Sequence, residues 1–231
     1  MSYDSALTVF SPQGKLFQVE YAMEAVNRGL CSVGVAGKDA IVLGVERKQT
    51  NTLQEPRSIR KILELDQNTV MAFSGLNPDA RVLGNMARVE CQSYGLNYDD
   101  DAPVDYTAKY ISQVQQKYTT KGGARPFGIS TVIAGFDSGK NVRLFQTDPS
   151  GSCTEWKATA VGNKSKQVLE YLQKNYEQNM SNDSALKLTC KALLDVVESG
   201  AKNIQMGILT KDGFRHLSDS EVETLVANVN Q

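Results

Sequence analysis

Histidine is almost missing from this chain of 231 residues: His216 is the only one. A metal centre built on imidazole pairs is thereby excluded, and a Ser-His-Asp triad would have to run through that single side chain. Cysteine is sparse as well. Cys31, Cys91, Cys153 and Cys190 lie far apart with no CxxC spacing. That pattern reads as reduced, buried core thiols of an intracellular protein rather than a disulfide frame or a metal site. Neither sign of charge is in excess: 25 basic and 26 acidic side chains leave a net charge of −1. No basic footprint for nucleic acid follows. No apolar run approaches the ~20 residues of a membrane span, and Met1-Ser2-Tyr3-Asp4 is not the basic-then-apolar start of a secretion signal. Low-complexity tracts, short repeats and long linkers are lacking too. Gly122 and Gly123 stand as a bare pair without the spacing of a phosphate loop. Asp99, Asp100 and Asp101 read as a solvated acidic loop. No cofactor is expected.

What is present is apolar periodicity. Hydrophobic residues make up 41% of the chain, ample for one large core, so a single domain over residues 1–231 is expected. Leu16, Val19, Met23 and Val26 step by three, four and three, predicting a helix over residues 16–28 that Gly29 can end. Ser11-Pro12-Gln13-Gly14 ahead of it reads as a turn. Residues 31–36 and 40–45 predict a hairpin. Ile41, Val42 and Leu43 are consecutive and apolar, which requires cover on both faces of that strand. Residues 62–65 and 69–74 are further strands. Asn77-Pro78-Asp79 predicts a helix start with Asn77 as its cap, and Gly95 a stop. A second helix spans about residues 104–118. Strands return at 129–136, 142–147 and 155–161, followed by two helices, a hairpin at 204–209 and 214–217, and a last helix with Ser220 and Glu223 as a capping box. Strands joined by tight turns are antiparallel. Two such sheets face to face, each covered by a helix pair, satisfy every apolar face. The expected fold is therefore α+β, a four-layer αββα sandwich.

A longer pattern runs through the chain. Tyr3-Asp4, Leu7-Thr8-Val9-Phe10-Ser11-Pro12, Gly14, Leu16 and Gln18-Val19-Glu20-Tyr21-Ala22 come in order. Ser74-Gly75-Leu76, Asp79-Ala80-Arg81, Arg125-Pro126-Phe127-Gly128, Asp148-Pro149-Ser150-Gly151 and Trp156-Lys157-Ala158 continue it. Together they resemble the signature of proteasome α subunits over essentially the whole chain. Met1–Asp4 and residues 87–93 look most like the eukaryotic type-7 branch, although Ser5 stands where the family usually has Arg. The resemblance implies an N-terminal-nucleophile hydrolase-like fold. It implies membership of the heptameric outer ring of the core particle, placed in cytoplasm and nucleus and serving ubiquitin-dependent degradation. Neighbouring α subunits, β-ring subunits, regulatory-particle ATPases and other activators are the implied partners. Residues 1–15 would be a gate segment, with Tyr3, Asp4, Pro12 and Tyr21 as gate residues. Residues 16–28 would be a helix on the ring surface. Lys61, Gly14, Glu20, Gly75 and Leu76 would form the pocket that receives activator tails.

Catalysis is not expected. The related β subunits use a threonine whose own α-amine activates its hydroxyl. Aligned on Gly34, that place is held by Leu30, which has no nucleophile. Cys31 would need a one-residue slip, which flips the faces of the strand. Glu46 and Lys61 stand where the acid and the lysine of such a site would be. Two other readings are an active N-terminal-nucleophile peptidase and an unrelated monomeric αββα protein. The first requires a processed Thr, Ser or Cys; the second requires the absence of any large assembly.

Overall fold

A computed structural model describes residues 9–47, 53, 60–137, 139–197 and 203–229. Tyr3 and Asp4 lie outside the described residues. The elements run α1 (Phe17–Asn27), β1 (Ser32–Ala36), β2 (Ile41–Glu46), β3 (Ile62–Asp66), β4 (Thr69–Gly75), α2 (Asn77–Tyr98), α3 (Val104–Thr120), β5 (Ile129–Phe136) and β6 (Val142–Thr147). They continue as β7 (Cys153–Glu155), β8 (Ala158–Val161), α4 (Ser165–Asn175), α5 (Asn182–Leu194), β9 (Ile204–Thr210), β10 (Gly213–His216) and α6 (Asp219–Val229).

Among the described residues, ten strands form two five-stranded antiparallel sheets, ordered β10-β9-β2-β1-β8 and β3-β4-β5-β6-β7. Strand alternation explains the layers. Ile41, Leu43 and Val45 of β2 meet Val70, Ala72, Val132 and Leu144 between the sheets. Val42, from the opposite face of β2, packs with Val168, Leu172, Leu188 and Leu193 of α4 and α5, and α6 adds Val222. On the outer face of the other sheet, Met71, Phe73 and Ile133 pack on Leu83, Ala87 and Ile111 of α2 and α3. The αββα sandwich is thus the observed fold, with α6 joining the helix pair on one side.

Four sequence expectations are corrected. The strand expected over 155–161 is two strands in different sheets: β7 pairs with β6, and β8 pairs with β1. The chain changes sheets at Trp156-Lys157, where the Trp156 N–H donates to Leu144 of β6 and the Lys157 carbonyl accepts from Ala36 of β1. Gly95 does not stop α2, which runs on to Tyr98 and ends at Asp99 with φ +54°. The ~1 kcal/mol that a helical glycine costs is offset by Tyr94, whose ring packs on Tyr98 and Tyr106 at 4.5 and 4.8 Å. Asn77 is the first helical residue, not the cap, which is Leu76. The capping box of α6 lies two residues earlier than expected. Ser218 N–H donates to Glu221 Oε2 at 2.7 Å, and Glu221 N–H returns to Ser218 Oγ at 3.3 Å.

Candidate functional site

The candidate residues fall in three places. The first is the turn before α1. Ser11 is buried, its carbonyl accepts from Gly14 N–H at 2.8 Å, and its hydroxyl accepts from Lys15 N–H at 3.1 Å. Gly14 sits at φ +75°, which a side chain would strain. Pro12 is exposed on this turn, where its ring fixes one backbone angle. One turn on, Glu20 pairs with Lys15 at 3.1 Å. Tyr21 is half exposed and lies against Phe17, ring centroids 6.3 Å apart. Pro12, Gly14, Glu20 and Tyr21 are therefore grouped on one end of α1.

The second place is the base of α1, where four glycines meet. Gly75, at φ +113°, leaves no room for a Cβ against the Gly128 carbonyl oxygen. Gly29 is pressed against the Gly75 backbone, and Gly162, at φ +99°, against Leu30 and Ser74. Ser74, fully buried, donates its hydroxyl to the Val26 carbonyl at 3.2 Å. Gly29 in turn accepts from Asn163 N–H at 2.8 Å. Leu76 takes part through its backbone: its N–H donates to the Gly128 carbonyl at 3.0 Å while its side chain stays partly exposed. Just inside α2, Asp79 takes both guanidinium nitrogens of Arg125 at 2.6 and 2.8 Å and the Gly128 N–H at 3.0 Å. Burial pushes the Asp79 carboxyl up, but the Arg125 and Gly128 bonds and the Arg125 charge bring it below its ordinary value. Sequence reasoning gave Gly75 and Leu76 as residues of the implied tail pocket, Gly29 as a helix end, and Ser74, Asp79, Arg125 and Gly128 only as parts of a family string. Only the run of glycines at strand and helix ends hinted at a junction.

The third place is the interior beside β3. Lys61 is 4% exposed, and its Nζ lies 4.8 Å from the centroid of the Phe73 ring. Burial lowers its pKa from 10.5 to about 8, with Glu46 pulling the other way. Glu46 Oε2 accepts from the Cys31 N–H at 3.2 Å. The Cys31 thiol is 1% exposed, and burial, reinforced by Glu46, pushes it up to about 12. Lys61 stands one residue ahead of β3, which pairs with β4, the strand that Gly75 ends. Among the described residues, no group of His, Cys, Asp and Glu is arranged to hold a metal ion. None of the described helices is long and apolar enough to cross a membrane.

At the base of α1, Ser74, Gly75, Leu76, Asp79, Arg125 and Gly128 all belong to the ordered string. The proteasome subunit family matches residues 26–209, and the N-terminal signature of A-type proteasome subunits matches residues 3–25. The chain belongs to the proteasome α-subunit family. Its relatives named proteasome subunit alpha type-7 include the protein of Dictyostelium discoideum, 54% identical over 98% of this chain and 91% of its own length. The tomato protein, Solanum lycopersicum, is 52% identical over 98% and 88%. That of Trypanosoma brucei brucei is 47% identical over 100% and 94%. As a proteasome α subunit, this chain is a component of the α ring of the core particle, acts in protein degradation and assembles with other proteasome subunits. Subunits of the α type are in general the non-catalytic members of that particle.

Proposed function

We propose that this subunit performs no peptide hydrolysis itself, gates substrate access to the particle, and docks activator tails at Lys61, in the cytoplasm and nucleus. The observation that carries the first part is the state of the place where a nucleophile would be. Leu30 precedes β1, and its side chain has no group that could attack a carbonyl. The neighbouring Cys31 thiol is buried and raised to about 12, so almost none of it is thiolate at neutral pH. Glu46, bonded to the Cys31 N–H, remains beside this place without a nucleophile to serve. The base of α1 lies over the same strand ends, with Ser74 tied to Val26.

Gating is supported by the exposed turn at Pro12 and the half-exposed Tyr21, both carried on a helix whose base is fixed. Tyr3 and Asp4 enter the proposal through the family string alone. Docking is supported by a cation on a rigid element, the arrangement a carboxylate receptor needs. Gly14, Glu20, Gly75 and Leu76 complete the proposed pocket, which a neighbouring subunit would close; regulatory-particle ATPases and other activators would supply the tails.

The test uses core particles assembled with this chain. With the β sites inhibited, no hydrolysis of fluorogenic peptides should remain, and Cys31→Ala should change nothing. Residual activity that disappears with Cys31→Ala would overturn the non-catalytic reading. For docking, Lys61→Ala should weaken a tail peptide by about ten- to a hundredfold, the worth of one charge-assisted hydrogen bond. Amidation of the peptide's carboxyl terminus should do the same.

A further inference from the structure

We propose that Arg125 is a positioning residue for Leu76, acting through Asp79 and Gly128 to hold the apolar wall of the proposed tail pocket in place. The proposal rests on the reading of that pocket as the tail receptor. Among Lys61, Gly14, Glu20, Gly75 and Leu76, only Leu76 carries an apolar side chain, and it is 43% exposed. Lys61 can answer a carboxylate, but an apolar residue of a tail has only Leu76 to pack on.

Hydrogen bonds fix where Leu76 stands. Its N–H donates to the Gly128 carbonyl at 3.0 Å, and its own carbonyl accepts from the Ala80 N–H at 3.2 Å as α2 begins. The Gly128 N–H donates to Asp79 Oδ2 at 3.0 Å. Gly128 is therefore gripped through both its backbone groups by one short segment, Leu76 to Asp79. The Leu76 side chain lies over Gly128 as well. A Cβ on that glycine would come within 3.0 Å of Leu76 Cδ1, with the Ala25 methyl of α1 at 3.7 Å. Arg125 sets the far end of the grip. Its two terminal nitrogens donate to Asp79 at 2.6 and 2.8 Å, and Nη1 also donates to the Pro126 carbonyl at 3.0 Å. The planar fork thus fixes the plane of the same carboxylate that holds Gly128.

Without the fork the Asp79 carboxylate is free to turn, the Gly128 bond loosens, and Leu76 loses its fixed place. The surrounding segment stays folded. Phe127 is buried against Tyr118, ring centroids 4.7 Å apart, and Gly75 pairs with Ile129 at the end of the β4-β5 ladder. The loss should therefore fall on the apolar part of a tail and spare its carboxylate, whose proposed partner Lys61 stands ahead of β3. A general loosening of the domain would weaken both parts alike.

The experiment uses core particles assembled with wild-type chain, Arg125→Ala, Arg125→Lys, Leu76→Ala or Lys61→Ala. Three peptides are titrated: one ending in leucine, tyrosine and alanine, its twin with alanine in place of the leucine, and the first with its terminus amidated. Each carries a photo-crosslinker, and only label on this chain is counted. With wild-type chain, leucine over alanine should favour binding about tenfold, the order expected for burying one such side chain. Arg125→Ala should bring the two peptides toward parity while amidation still weakens binding as in the wild type, and Leu76→Ala should do the same. Arg125→Lys keeps the charge but not the paired bonds, so its leucine preference should fall between; it carries the test if Arg125→Ala fails to enter the ring. An undiminished leucine preference in the Arg125 variants, or leucine and carboxylate responses that shrink together, would overturn the role of Arg125 alone. Binding unchanged by Lys61→Ala and by amidation would instead remove the docking reading beneath it.

Discussion

At neutral pH a buried ammonium opposes folding, and Lys61 is such a group. Its pKa of about 8 lies below the ordinary 10.5, so between those values the unfolded chain binds more protons than the folded one. Stability from this group rises as pH climbs through that window, and the full penalty applies below about pH 8. At 1.36 kcal/mol per unit, the penalty is on the order of 3 kcal/mol. Lys61→Met keeps the stem and removes the charge. It should be more stable than the native chain at pH 7, with the gap closing toward pH 10.5, as read by denaturant unfolding of the two proteins side by side. A less stable Met variant at pH 7 would mean that the contacts of the ammonium outweigh its desolvation. Asp79 titrates in the opposite sense. Its depressed carboxyl adds stability above the usual carboxylate range, and that share is lost as pH falls through the folded value. Arg125 is 59% exposed, so solvent screens the charge attraction, and the oriented bonds dominate. Asp79→Ala should cost about 2–3 kcal/mol, chiefly by leaving the buried Gly128 N–H without its acceptor. Arg125→Ala should cost less. Equal costs would contradict this division.

At the scale of elements, the glycine junction decides where α1 sits. Gly75→Ala would force a Cβ into the Gly128 carbonyl at a positive φ, and Ser74→Ala would remove only the bond to Val26. Ser74→Ala should therefore leave the fold intact and raise hydrogen exchange in α1 alone. Gly75→Ala should lower the melting temperature of the whole domain. The same junction marks how far the sequence could be read. Alternating and continuous apolar runs identified β1, β2, β4, β5 and β6 because burial on one or both faces leaves that imprint. The change of sheets at Trp156-Lys157 left none, since both halves of residues 155–161 favour extended backbone and only pairing tells them apart. Gly95 misled because tertiary packing of Tyr94 overrides an intrinsic preference of ~1 kcal/mol. The capping box slipped because Ser218 and Ser220 both precede a glutamate at the same spacing. The burial of Lys61 was equally hidden. Lysine is seldom interior, and the Phe73 ring that receives its ammonium comes from another strand, β4.

On the scale of the whole molecule, the proposed gate lies ahead of a fixed helix base. Deleting Met1–Thr8 should raise basal peptide hydrolysis by the assembled particle while leaving its assembly unchanged on a native gel. Unchanged basal hydrolysis would mean that this subunit's leading segment is not part of the closed gate. The order of strands has a consequence of another kind, for synthesis on the ribosome. One sheet takes β3 to β7 in sequence order, with α2 and α3 inserted between β4 and β5, so each strand can pair with the one before it as the chain emerges. The other places β9 beside β2. Residue 46 ends β2 and residue 204 begins β9, a gap of 158 positions (204 − 46). At roughly 5–20 residues per second, that edge waits about 8–30 s for its partner. Throughout that interval an apolar strand offers unpaired backbone groups to any passing chain. A nascent chain of this kind is thus most prone to mispairing after its first hairpin has formed, and a messenger truncated before codon 204 would yield a product that keeps the liability permanently.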